Sequence, residues 1–158
     1  MNDLSLGVLS AMITPAVLIS ASGTLILSTS NRLSRAVDRM RRFADRTREL
    51  SRASSPSDPF AEAERKMIVA LLPKVMRRVY LIHRGLAAFY LAVGIFVFTS
   101  LLIGSSAIGI GAESVAVGFG LAGVLVLFVG TALLTVEAQI SLEVNQAEME
   151  FIRELAAK

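Results

Sequence analysis

At 158 residues the chain has room for one domain, and an apolar fraction of 54% with a mean hydropathy of +0.63 is too high for an ordinary water-soluble one. Cysteine is absent, which excludes disulfides, thiolate catalysis and cysteine-held iron–sulfur or zinc sites, and His83 is the single histidine. Net charge is only +3, so the placement of charge carries more information than its total.

From Leu4 to Asn31 no side chain is charged, a run of 28 residues. As a helix at 1.5 Å per residue it is about 42 Å long, more than the roughly 30 Å of a bilayer's hydrocarbon core. Pro15 does not veto a span, because neighbouring helices can satisfy the backbone group it frees. Asn2 and Asp3 precede the run and arginines follow it, the reverse of a secretory signal, which predicts an uncleaved span with its N-terminus outside.

Residues 32–84 carry 14 basic and 6 acidic side chains. Leu33, Ala36, Met40, Phe43 and Leu50 recur at three- and four-residue intervals, the mark of a helix with one apolar face. The helix is expected to stop at SSPSDP, where Ser57 or Asp58 can cap a new one with Pro59 in its first turn. Ile68, Leu71, Leu72, Val75, Met76 and Val79 give that second helix its own stripe, with Pro73 a predicted kink.

Two further uncharged runs, Gly85 to Ala112 and Ser114 to Val136, are separated by Glu113 alone and read as a hairpin of spans turning within GSSAIGIGAES. From Glu137 onward there are 2 basic and 5 acidic residues, and Ile140, Val144, Ala147, Phe151 and Leu155 repeat the helical stripe. Basic residues near span ends stay cytoplasmic, so the 32–84 segment and the C-terminus are predicted inside, two placements that three spans make consistent.

The predicted fold is therefore all-α and a single membrane domain over 1–158. Spans at about 4–31, 85–106 and 114–136 form a three-transmembrane-helix bundle. The helices extend into a cytosolic three-helix bundle, built from a hairpin over 32–84 with a linker at 53–58 and a C-terminal helix over 137–157. The cytosolic extensions are about 33, 39 and 32 Å long at 1.5 Å per residue.

The stretch TPAVLISASGTLILSTSNRLSRAVDRMRR, the three-span layout and the acidic residue closing the last span in LLTVEAQISLE resemble the bacterial family catalogued as domain of unknown function 2721. The resemblance covers most of the chain. It implies a fold and no functional residues, because no activity is assigned to that family.

Arg32, Arg35, Arg39, Arg42 and Arg46 fall at three- and four-residue intervals along one line of the first helix, and the line runs back through Ser28, Thr24, Thr14 and Ser10. One reading makes this a pore lining, with Ser10, Thr14, Thr24 and Ser28 along the path of a homo-oligomeric channel or transport component and rings of arginine favouring anions at its inner mouth. The alternative is a non-conducting scaffold or regulator, in which hydroxyls help spans pack and the arginines carry the topology signal or pair with nearby acids. In that case Arg32, Arg35, Arg39, Arg42, Arg46, Arg77, Arg78 and Arg84 dock a cytosolic partner or hold anionic lipid headgroups.

Glu137, the first charge after the third span and at the depth of Arg32 and Arg84, is expected to form a structural ion pair with arginine that anchors all three helices at one level, and Glu143, Glu150 and Glu154 to lie beside the arginine helix. Gly118, Gly120, Gly123 and Gly130 let the third span pack closely. His83 reads as a pH sensor or as an ordinary interfacial histidine. No acidic pair falls within a span, and HExxH, GxSxG and a phosphate-binding glycine loop are missing. The expectation is a protein that is not an enzyme, with no catalytic residue, cofactor or metal. Its expected partners are membrane lipids and its own copies, without nucleic acid, and its expected place is the bacterial inner membrane.

Overall fold

The computed structural model describes Asn2–Ala53, Pro59–Ser106 and Glu113–Ala156, and these are three α-helices, α1, α2 and α3 in that order. The fold is all-helical. The expected caps at Ser57 and Asp58, most of the 53–58 linker and the middle of the predicted α2–α3 turn lie outside the described residues, as do the side chains of Phe151, Glu154 and Leu155. Helix α1 runs through Pro15 and α2 through Pro73. Over Ser10–Arg52, Ala61–Ser105 and Glu113–Glu150 each helix is long and apolar enough to cross a membrane.

By contact density the chain divides into two units, one of residues 1–30 and 84–133, the other of residues 31–83 and 134–158. In the first, the core is made by aromatic rings on α2 seated against glycines on α3. Phe89 and Phe96 are fully buried, together with Ala92. A methyl group on Gly123 would stand 2.5 Å from Cε1 of Phe96, and one on Gly130 would stand 2.7 Å from Cε1 of Phe89. The absent side chains make the seats for the rings, the use small residues have where packing rather than hydrophobicity holds helices together. Helix α1 buries Pro15, Ser22 and Thr29 in this unit. The Ser22 hydroxyl donates to the Leu18 carbonyl at 2.7 Å and Thr99 to Ile95 at 2.9 Å, so these buried polar groups are satisfied within their own helices.

The second unit packs Val75 of α2 against Ile140 and Val144 of α3, with Met40, Phe43 and Leu81 closing around them. Ala36, Leu50, Ile68 and Leu71 are buried as well. Of the predicted α2 stripe, Met76 is the exception at 56% exposure.

The buried positions of α1 repeat every seven residues: Pro15, Ser22 and Thr29 in the first unit, Ala36 and Leu50 in the second, with Phe43 half-buried between the latter two. On α3 the same interval separates Ala116, Gly123 and Gly130 in the first unit, and Glu137 and Val144 in the second. Within each unit, taken by itself, a seven-residue interval is the packing period of helices that wind around one another left-handedly.

Candidate functional site

The seven-residue seam divides the arginine series into two columns. Three residues beyond Thr29, Ala36 and Phe43 stand Arg32, Arg39 and Arg46, a position that flanks the seam and faces the neighbouring helices. One residue before Ala36 and Phe43 stand Arg35 and Arg42, both exposed.

All three arginines of the inner column meet carboxylates. Glu137 on α3 is wholly buried. Its Oε1 accepts the Nε–H of Arg78 from α2, while its Oε2 lies 3.2 Å from Nη2 of Arg32 on α1. The Arg32 contact has the separation of an ion pair without the alignment of a hydrogen bond, so Oε2 is held by charge alone. A carboxylate removed from water costs several kcal/mol, about what well-placed counter-charges recover. Here one carboxylate joins all three helices, and the second cation is Arg78; Arg84 is exposed.

Next along the column, Arg39 pairs with Glu148 and donates through Nη1 to Asn145 Oδ1 at 2.9 Å, both on α3. Its guanidinium carbon lies 5.8 Å from the centroid of the Phe43 ring, within cation–π range. Arg46 grips Glu64 on α2 with two parallel bonds, Nε to Oε1 at 2.8 Å and Nη2 to Oε2 at 3.0 Å, and reaches Glu49 at 3.1 Å. The fork geometry makes this the most directional of the pairs, although its exposure lets water and salt screen it. Glu143 faces α2, where Lys74 stands 3.4 Å away, and Glu150 is exposed.

Ser10, Thr24 and Ser28 are exposed, as are Arg77 and His83, and Thr14 is exposed where it lines a crevice. Among the described residues the buried hydroxyls are Ser22 and Thr29 on α1 and Thr99 on α2, which hydrophobic patterning passes over because it searches for apolar residues.

The first unit also contains a crevice of about 690 Å³ that no sequence pattern announces. Thr14, Pro15, Phe96, Thr99, Gly120 and Val124 line its wall, and Glu113 stands among its lining residues at the start of α3. Small residues on facing helices leave the space. Among the described residues no group of three or more His, Asp or Glu side chains is placed to hold a metal ion.

Three helices able to cross a bilayer, braced by ion pairs on their charged stretches, define a multi-pass helical membrane protein. The sequence profile described as "Protein of unknown function (DUF2721)" matches residues 12–147, and the chain belongs to that family. Comparison with curated proteins and with solved structures finds no match.

Proposed function

We propose that the chain is a non-conducting membrane scaffold of the bacterial inner membrane. Its N-terminus faces outward, and the 32–84 segment and C-terminus lie in the cytosol as a braced three-helix bundle. The outer arginine column, with Arg77, is offered to anionic headgroups of the inner leaflet. The observation that carries this reading is the commitment of Arg32, Arg39 and Arg46 to Glu137, Glu148 and Glu64. Arginines neutralised within the protomer stiffen it and are poor candidates for rings that select anions at a channel mouth. Arg35, Arg42 and Arg77 stay exposed, and each cation near an anionic surface contributes on the order of 1 kcal/mol of attraction.

Flotation of the protein reconstituted in nanodiscs against anionic and neutral vesicles, together with ion flux from proteoliposomes, tests it. The scaffold reading expects flux no higher than from empty liposomes, and recruitment of anionic vesicles that weakens when Arg35, Arg42 and Arg77 are changed to Glu. Recruitment of neutral vesicles to the same degree counts against it.

A second reading, the homo-oligomeric pore, is favoured by one feature: Thr14, Ser28, Arg35 and Arg42 share a seven-residue column of α1 and all are exposed, with Ser10 and Thr24 exposed beside them. Several copies could turn that column toward a common axis. Anion flux that changes selectivity with Arg35→Glu and Arg42→Glu would replace the scaffold by the pore.

A further inference from the structure

We propose that the crevice of the first unit seats one acyl chain of a phospholipid whose head carries a primary ammonium, with Glu113 as the group that recognises the head. This inference is independent of the arginine columns and concerns the first unit alone.

The space is of the right size and shape. Its volume of about 690 Å³ falls within the roughly 300–1,000 Å³ of ordinary ligand sites. Along α3 the lining extends from Glu113 to Val124, and along α1 from Gly7 to Leu18. At 1.5 Å per residue each edge is about 16 Å long, half of the roughly 30 Å hydrocarbon core and hence the depth of one leaflet's chains. Apart from Glu113, the wall is hydrocarbon, glycine and two threonines. The Thr99 hydroxyl proton is already given to Ile95, so the deep part of the crevice offers little to a polar ligand.

Charge complementarity selects the head. Glu113 is the one charged residue in the lining and interrupts the two neutral runs of the hairpin, a place that two bilayer-spanning runs would set among the headgroups. It sits in the first turn of α3, where the unpaired backbone N–H groups favour an anion. A carboxylate at that level repels an anionic glycerol head and accepts hydrogen bonds from an ammonium. A second copy of this chain would leave that carboxylate facing a neutral hairpin, because Glu113 is the sole charge between Gly85 and Val136.

Native mass spectrometry of the detergent-purified full chain, titrated with phosphatidylethanolamine and phosphatidylglycerol of matched tails, is the test. Expected is one retained phosphatidylethanolamine per chain, favoured about five-fold over phosphatidylglycerol, the scale of a single exposed charge contact. Glu113→Gln should bring the two lipids to parity while keeping one bound lipid. Gly120→Leu should abolish retention of both, since a methyl group at Gly120 meets only Thr99 Cγ2 at 3.7 Å and a longer side chain projects into the space. Should Gly120→Leu unfold, Val117→Trp fills the crevice from an exposed rim position. Equal retention of both lipids by the unaltered chain would overturn the proposal, as would lipid binding that survives a folded crevice-filling variant. So would a dimer that Gly120→Leu dissociates without change in bound lipid, which would make the crevice a contact between copies.

Discussion

Glu137, closed to solvent on α3, accepts the Nε–H of Arg78 from α2, and that bond fixes the partner that Arg32 of α1 must share. The Arg78 side chain is 16% exposed and that of Arg32 is 34%, so the three groups are not equivalent. Removing the carboxylate strands both cations, whereas removing Arg32 leaves Glu137 with its directed bond. Glu137→Ala is expected to destabilise the protein by about 3 kcal/mol and Arg32→Ala by less, because Glu137 keeps its bond from Arg78, with Arg78→Ala between them. Unfolding midpoints in detergent give the order, and an Arg32→Ala loss as large as that of Glu137→Ala would refute the asymmetry.

The glycines of α3 divide by what faces them. Gly123 and Gly130 have aromatic rings within 3 Å of where a methyl group would be, while Gly118 has nothing within 4 Å. Phe96 and Phe89 are fully buried, so each ring must shift before a methyl group is admitted. Gly123→Ala and Gly130→Ala are each expected to cost about 1–3 kcal/mol through overpacking. Gly118→Ala should be neutral or stabilising by up to about 1 kcal/mol, since alanine restricts the unfolded chain. Thermal unfolding of the three variants distinguishes the positions, and equal effects would contradict the ring-on-glycine packing.

How far the sequence reveals this molecule differs between the helices and their faces. The three apolar helices follow from long neutral runs, because lipid imposes a length and a composition on anything that crosses it. The resemblance to the family likewise rests on local residues, the proline-to-arginine stretch and the LLTVEAQISLE segment, within the matched range 12–147. The division of the arginines into two columns is not local. A line at three- and four-residue intervals passes through both columns, and only the partners on α2 and α3 decide that Arg39 turns inward and Arg35 outward. A seam made of Pro15, Ser22, Thr29 and Ala36 is invisible to a search for apolar stripes, although its interval of seven is present in the sequence. Arg78 rather than Arg84 meets Glu137 for the same reason: one residue's rotation on a helix separates the two faces. The crevice leaves still less trace, being space that small residues fail to fill.

The Arg46–Glu64 fork is surface electrostatics in a near-ideal geometry. Reversing either charge places like charges opposite each other, and reversing both restores an attractive pair. Arg46→Glu and Glu64→Arg should each lower the unfolding midpoint, and the double exchange should recover most of the loss. Because both partners reach solvent, the recovery should shrink as salt is raised. A double exchange no better than either single reversal would show that the fork contributes nothing to stability.

The two arginine columns allow stability and surface binding to be separated on a single helix. Arg39 has a carboxylate, an amide and an aromatic ring as partners, and its removal leaves Glu148, one oxygen of which is already buried without a hydrogen bond, further uncompensated. Arg39→Ala should therefore lower stability by about 2 kcal/mol and leave recruitment of anionic vesicles nearly unchanged, because that guanidinium is spent within the protomer. Arg35→Ala with Arg42→Ala should behave oppositely. Surface substitutions of this kind stay within about 0.5 kcal/mol in stability, while the loss of two cations weakens vesicle binding by an amount that rises as ionic strength falls. Unfolding midpoints and vesicle flotation measured on the same preparations decide the matter. If Arg39→Ala weakens vesicle binding as much as the paired outer substitutions do, the inner column also faces the lipid surface and the ion pairs do not partition the helix.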